Sequence, residues 1–116
     1  MKVLLALVLA AVALPAIAQD YPTKPIHVVI PFPPGGATDT ITRRIGERLT
    51  QKWGQAVIVE NKPGANTVIG TEAVKRAEAD GYTLLMTSPA GLVQLPPLMP
   101  NLPYDPERDF MLRYAG

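Results

Sequence analysis

One segment of this 116-residue sequence has the composition of an anion-binding loop. It runs from Phe32 to Thr38, and Pro33 and Pro34 precede the adjacent Gly35 and Gly36. Glycine lacks a Cβ, so the backbone can approach a ligand closely and adopt positive φ. A helix is predicted directly after the loop, and unpaired amides at a helix N-terminus favour an anion. The residues leave two interpretations open, a ligand-binding loop or a plain turn, because Pro and Gly mark loops generally.

Three polar residues could support binding at this loop. Asp39 falls in the first turn of the predicted helix, where it either caps the helix, orients the loop or accepts a hydrogen bond from a ligand. Thr87 and Ser88 follow the third predicted strand, and their hydroxyls could donate to a carboxylate or close a local turn.

Other chemistries find little support. No Lys-Ser/Thr pair follows the glycines and no GxGxxG is present, so neither a phosphate loop nor a dinucleotide site is indicated. The chain has no Cys and no metal-ligand spacing, so we expect no cofactor and no metal. A triad of Ser88, His27 and Asp39 can be written down, but there is no nucleophile-elbow motif and His27 lies inside an apolar strand. An exported α/β hydrolase therefore remains only an alternative.

The first 18 residues read as a secretory signal peptide. Lys2 precedes an apolar run from Val3 to Ala13, and Ala16-Ile17-Ala18 offers small residues for cleavage after Ala18. The run is shorter than the roughly 20 apolar residues of a membrane span. We therefore expect export to the periplasm. Removing this segment would leave ten basic and ten acidic side chains, so no basic excess indicates nucleic-acid binding.

The elements that must position these residues alternate between strands and helices. The pattern predicts strands at 26–30, 56–59 and 82–86. It also predicts a first helix with Thr38 or Asp39 as its N-cap, and a second at 68–79 with Thr67 as its N-cap. Gly54 is expected to end the first helix. Right-handed crossovers then give a parallel α/β sheet with strand order 2-1-3. The loops after strands one and three would face each other at one edge, where such sheets bind ligands.

Each predicted helix carries apolar residues that we expect to face inward. In the first helix they recur every fourth residue, at Ile41, Ile45, Leu49 and Trp53. In the second they are Ile69, Ala73, Val74 and Ala77. After Ala90 the chain is rich in proline, and no helix or strand is predicted there.

Six short motifs follow one another along residues 21–106. They are Tyr21-Pro22-Thr23-Lys24-Pro25-Ile26, Pro31-Phe32-Pro33-Pro34-Gly35-Gly36-Ala37-Thr38-Asp39, Val59-Glu60-Asn61-Lys62-Pro63-Gly64-Ala65, Ile69-Gly70-Thr71-Glu72-Ala73, Asp80-Gly81-Tyr82-Thr83-Leu84-Leu85 and Leu102-Pro103-Tyr104-Asp105-Pro106. Together they resemble the Bug family, the periplasmic substrate-binding components of tripartite tricarboxylate transporters. Asn66-Thr67 stands where the family often has Gly-Gly, a change that we expect to be compatible with a helix start.

The resemblance implies a non-enzymatic, two-lobed binding protein of the periplasmic-binding-protein type II fold, with about three hundred residues. It implies that the first loop grips a small carboxylate ligand through Phe32, Gly35, Gly36, Ala37 and Asp39, and that Thr87, Ser88 and Ala90 line the cleft. Membrane subunits of the transporter would be the partners of a monomeric protein. A periplasmic sensory or interaction protein is a further alternative.

The end of the chain departs from the resemblance. Met111 to Gly116 does not match the family's usual continuation, so residues 19–116 are expected to form a partial first lobe. Because half the cleft would then be absent, we expect weak binding or none from this chain alone.

Overall fold

The computed structural model describes residues 20–111, and the predicted signal peptide lies outside that range. Three strands form the sheet: β1 (Ile26–Ile30), β2 (Val57–Asn61) and β3 (Thr83–Leu85). Two main helices connect them, α1 (Ala37–Trp53) and α2 (Val68–Arg76). A π-helical turn (Ala90–Gln94), α3 (Leu95–Leu98) and α4 (Pro106–Asp109) follow. The prediction of a structureless tail after Ala90 is therefore wrong.

The sheet is parallel with strand order β2-β1-β3, which confirms the predicted α/β fold and topology. His27 donates its amide to Tyr82 O at 2.8 Å, and Met86 donates to Val29 O at 2.9 Å, so pairing extends one residue beyond each end of β3. β1 is the central strand, and the adjacent Val29 and Ile30, which point to opposite faces of the sheet, are 4% and 0% exposed. The carboxyl ends of β1 and β3 thus lie side by side.

The inward face of α1 differs from the predicted stripe. Ile41, Ile45 and Trp53 are 53%, 46% and 37% exposed. The buried positions are Asp39, Thr42 and Gly46. The small side of the helix faces the sheet because a Cβ on Gly46 would already lie 3.2 Å from Val57 Cγ1. Close approach of helix and strand selects this face over the larger apolar one.

Small residues also form the buried face of α2. Its buried positions are Gly70 and Thr71, whereas Ile69, predicted to face inward, is 52% exposed. Ala73, Val74 and Ala77 are half-buried. The helix ends at Arg76, three residues earlier than predicted.

The helix ends also test the predicted caps. Gly54 ends α1 in a left-handed conformation with φ of 68°, as predicted. The N-cap of α1 is Gly36, so the assignment of that position to Thr38 or Asp39 is wrong. Thr67 does occupy the N-cap of α2, but its side chain makes no capping hydrogen bond.

Residues 20–111 contain no helix with the length and apolar character needed to cross a bilayer.

Candidate functional site

The loop between β1 and α1 is built around a turn at Pro33–Gly36. Proline suits the second position of such a turn, and the third position, Gly35, has φ of +90°. The Gly35 amide then donates to Asp39 Oδ2 at 2.9 Å. One amide of the Gly-Gly pair is therefore engaged by the protein itself and is not open to a ligand.

The donors that remain open come from the first turn of α1. The first helical hydrogen bond runs from Thr40 N to Gly36 O at 3.0 Å. Among the described residues, none accepts a hydrogen bond from the amides of Ala37, Thr38 and Asp39. Gly36 supplies no capping side chain, so no side chain of the helix cap occupies these three donors. The Gly36 amide likewise has no acceptor among the described residues, so of the two glycines only Gly35 has an engaged amide.

The Asp39 carboxylate links the loop to α1 and β2. Its residue exposure is only 5%, and Oδ1 accepts hydrogen bonds from Arg43 Nε at 3.0 Å and Asn61 Nδ2 at 3.1 Å. The Gly35 amide, followed by the Arg43 guanidinium, holds the pKa of this carboxyl below its usual value. Because both oxygens are engaged, the geometry favours the loop-orienting role over a ligand contact.

Asn61 and Arg43 were not singled out from the sequence. Asn61 ends β2 and donates from Nδ2 to Phe32 O at 3.1 Å, while its Oδ1 accepts from Arg43 Nη2 at 2.8 Å. The spacing of Asp39 and Arg43, four residues apart on a predicted helix, was a signal for their ion pair. The position of Asn61 at the carboxyl end of a strand was a second signal.

The second predicted loop follows β3 beside the end of β1. Thr87 and Ser88 are half-buried, and Thr87 Oγ1 donates to Ser88 O at 3.3 Å, the local arrangement that the sequence left open. Ala90 begins the π-helical turn. The next residue, Gly91, is buried, and its carbonyl accepts from Tyr104 Oη at 2.7 Å. Tyr104 thereby ties the proline-rich segment to the site edge.

The hypothetical triad does not assemble. His27 Nδ1 lies 2.9 Å from Glu60 Oε1, in a pair with Glu60 rather than with Asp39. In register His27 lies opposite Thr83, at the start of β3, whereas Ser88 follows that strand. The part of the chain from 20 to 111 also brings together no set of His, Asp and Glu side chains that could hold a metal ion.

The fold and the site define an α/β lobe that presents unpaired helix amides at the carboxyl edge of a parallel sheet. Residues 41–113 match the model of the "Tripartite tricarboxylate transporter family receptor", and the chain belongs to this family. It is 45% identical over 96 residues to Protein BugT of Bordetella pertussis, covering 82% of this chain and 29% of that protein. The chain therefore spans under a third of this relative's length.

Several solved structures are similar in both sequence and fold, and two of them hold a ligand. MatC from Rhodopseudomonas palustris with bound malate is 34% identical with a TM-score of 0.71, over 78% of this chain and 31% of that one. Rpa4515 of R. palustris with adipate is 38% identical with a TM-score of 0.55, over 57% of this chain and 22% of that one.

Proposed function

We propose that this chain carries the carboxylate-binding edge of a periplasmic receptor that delivers small di- or tricarboxylates to the membrane subunits of a tripartite tricarboxylate transporter. The observation that carries this proposal is the set of unpaired amides at Ala37, Thr38 and Asp39. The malate and adipate in two relatives are both dicarboxylates, which supports the ligand class. The site acts by binding, with no chemical step.

The remaining features of the proposal follow from the same family. Residues 1–18 would direct export and be removed, and residues 19–116 would belong to the first of two lobes. Ala90, Thr87 and Ser88, with hydroxyl donors on the last two, would line the cleft beside the helix amides. Phe32, Gly35 and Gly36 would shape the backbone there, and the receptor would act as a monomer.

The strength of such a site can be estimated from its donors. A hydrogen bond to a charged group contributes about 1.5–3 kcal/mol. Millimolar binding corresponds to about 4 kcal/mol and micromolar binding to about 8 kcal/mol. Two or three amides give about 3–9 kcal/mol, and the lost translational and rotational freedom must be subtracted from this, so we expect binding no tighter than roughly millimolar. Tighter binding would need a second surface across the ligand.

The proposal can be tested by NMR titration of the 116-residue chain with malate and adipate, monitoring individual backbone amides. We expect saturable shifts of the Ala37 and Thr38 amides at millimolar ligand, and none with the corresponding uncharged diamides. Shifts that are absent at these amides, or equal for the diamides, would contradict the proposal.

One substitution removes a single donor from the site. Ala37→Pro removes the amide hydrogen at N1, the helix position where proline is best tolerated. Gly36 already has the extended φ and ψ of −76° and 175° that a residue before proline requires. We expect about a tenfold weaker affinity, which corresponds to 1.4 kcal/mol. The matched control, Ala37→Gly, keeps the amide and should bind within about threefold of the unmodified chain.

A further inference from the structure

We propose that Asn61 is the positioning residue of the carboxylate site, because it fixes the loop after β1 to the first turn of α1. A single side chain at the end of β2 contacts both parts of the site. Its Nδ2 donates to Phe32 O at 3.1 Å on the loop and to Asp39 Oδ1 at 3.1 Å on the helix. Among residues 20–111, no other side chain hydrogen-bonds to both Phe32 O and Asp39 Oδ1, although Asp39 itself also joins the helix to the loop by accepting from Gly35 N.

The amide orientation of Asn61 is determined by its neighbours. Both Nδ2 hydrogens meet acceptors, the Phe32 carbonyl and the Asp39 carboxylate. Oδ1 meets a donor, Arg43 Nη2, at 2.8 Å. Rotating the amide by half a turn would set oxygen against two acceptors and NH₂ against a guanidinium. Only one orientation therefore satisfies all three contacts.

This arrangement requires an amide at position 61. A carboxylate of the same shape would lack both donors and would lie about 3 Å from Asp39 Oδ1. A leucine would keep the shape and lose all three hydrogen bonds. Arg43 also donates from Nε to Asp39 Oδ1, so Asp39, Arg43 and Asn61 form a closed triangle. The triangle places the Asp39 carboxylate where it receives the Gly35 amide.

The consequence for binding is preorganisation. The open amides of Ala37 and Thr38 belong to α1, whereas the loop that borders them follows β1. A ligand that meets both gains most when their relative position is fixed before binding, because less conformational freedom is lost. Asn61 thus acts on the ligand through the loop, without needing to contact it.

The test uses Asn61→Leu in the 116-residue chain, with Thr50→Val as its matched control. Thr50 Oγ1 accepts from Val57 N at 3.0 Å and donates to Gly46 O at 2.8 Å, so Thr50→Val removes one hydrogen bond between the same helix and strand, and one within the helix, away from the loop. We expect Asn61→Leu to weaken malate and adipate binding about tenfold at the Ala37 and Thr38 amides. Thr50→Val should leave the affinity within about twofold of the unmodified chain.

A second variant gives a readout that does not depend on ligand. In Asn61→Asp, two carboxyls share one site, so one of them should retain a proton to higher pH. The charged groups beside position 61 are Asp39 and Arg43 of α1. The neighbouring Glu60 of β2 pairs instead with His27 and with Lys62. The Gly35 amide shift, which reports on Asp39, should show an inflection at higher pH than in the unmodified chain.

Because this positioning role rests on the proposed function, the two readouts separate their failures. If the unmodified chain binds neither dicarboxylate but the Gly35 inflection moves, the proposed function fails while Asn61 still holds the loop. If ligand binds and Asn61→Leu binds equally well, or if the Gly35 inflection does not move in Asn61→Asp, the positioning role is overturned. If the spectrum of Asn61→Leu is not dispersed, Asn61→Asp is the deciding variant. The pH of its Gly35 inflection is measured first, and its affinity for malate and adipate is then compared above and below that pH.

Discussion

Gly70 of α2 packs directly against Pro31, the residue that follows β1 at the start of the site loop. A Cβ on Gly70 would lie 2.8 Å from Pro31 Cβ and 2.7 Å from the Lys62 carbonyl oxygen. Neither neighbour can move easily, since one is a proline ring that is almost fully buried and the other is backbone. We therefore expect Gly70→Ala to lower the free energy of unfolding by about 1–3 kcal/mol, as overpacking does, despite the better helix propensity of alanine.

Urea denaturation followed by circular dichroism would measure this change. Gly36→Ala is the control, because Gly36 has negative φ and its added Cβ would meet only Pro33 O at 3.9 Å. The control should cost less than about 1 kcal/mol. Equal effects of the two substitutions would show that the contact between Gly70 and Pro31 is not close.

Thr67 occupies a conformation that suits glycine better. Its φ is 76°, in the left-handed region that β-branched residues rarely adopt, and its Oγ1 is buried with no hydrogen-bond partner among the described residues. Left-handed backbone costs an ordinary residue about 1–2 kcal/mol, and an unsatisfied hydroxyl adds to that. We expect Thr67→Gly to stabilise the chain by about 1 kcal/mol, after the extra backbone entropy of glycine is subtracted.

Thr67→Ala separates the two causes, because it removes the hydroxyl and keeps the Cβ. If backbone strain dominates, a thermal melt of Thr67→Ala will lie close to that of the unmodified chain, below Thr67→Gly. A lower melting temperature for Thr67→Gly than for the unmodified chain would count against strain at this position.

Substitutions on the two adjacent faces of α1 should change stability to different extents. Ile45 is 46% exposed, so Ile45→Ser should change the free energy of unfolding by less than about 1 kcal/mol. Gly46 faces Val57, and Gly46→Leu would force a large side chain between α1 and β2, at a cost of about 1–3 kcal/mol or more. Denaturation midpoints of the two variants would compare the faces directly. A larger loss of stability for Ile45→Ser than for Gly46→Leu would indicate that the apolar stripe faces the sheet, as the sequence predicted.

The fold could be predicted because its main signals are local. The β-branched run at 26–30 and the alternation of strands with helices lead to a parallel sheet through a general rule of handedness. The faces of the helices could not be predicted in the same way. Apolar side chains recur every fourth residue at Ile41 and Ile45, but so do the small residues Thr42 and Gly46. Only the distance to β2 decides between them.

The position of the candidate loop was predicted from the sequence, but its hydrogen bonds were not. The loop after β1 was identified because Pro and Gly precede a helix. The engaged amide of Gly35 was not, because it depends on Asp39 reaching back across the turn. The left-handed run from Ala65 to Thr67, with φ of 46°, 51° and 76°, was also missed, because alanine and threonine seldom adopt that conformation. The helix nevertheless begins directly after Thr67, so Asn66-Thr67 is compatible with a helix start, as expected.

The carboxylate of Asp39 should make the stability of the chain depend on pH in a defined direction. The Gly35 amide and the Arg43 guanidinium hold its pKa in the folded state below the ordinary value of about 4. A carboxyl with a lowered folded-state pKa contributes stability that is fully present above the pKa of the unfolded state and is lost as the pH falls through the folded-state pKa. We therefore expect Asp39→Asn to lower the urea midpoint at pH 7 and to have a smaller effect at pH 3.

The comparison must be made as a difference between chains, because Asp80 and Asp109 also have lowered pKa values and contribute to acid sensitivity in every variant. Asp20→Asn, at an exposed carboxyl, is the matched control and should leave the midpoint unchanged at both pH values. An effect of Asp39→Asn that is equal at pH 7 and pH 3, or larger at pH 3, would mean that the ionised carboxylate does not stabilise the loop. In that case the hydrogen bond from Gly35 would have to be maintained by the neutral side chain as well.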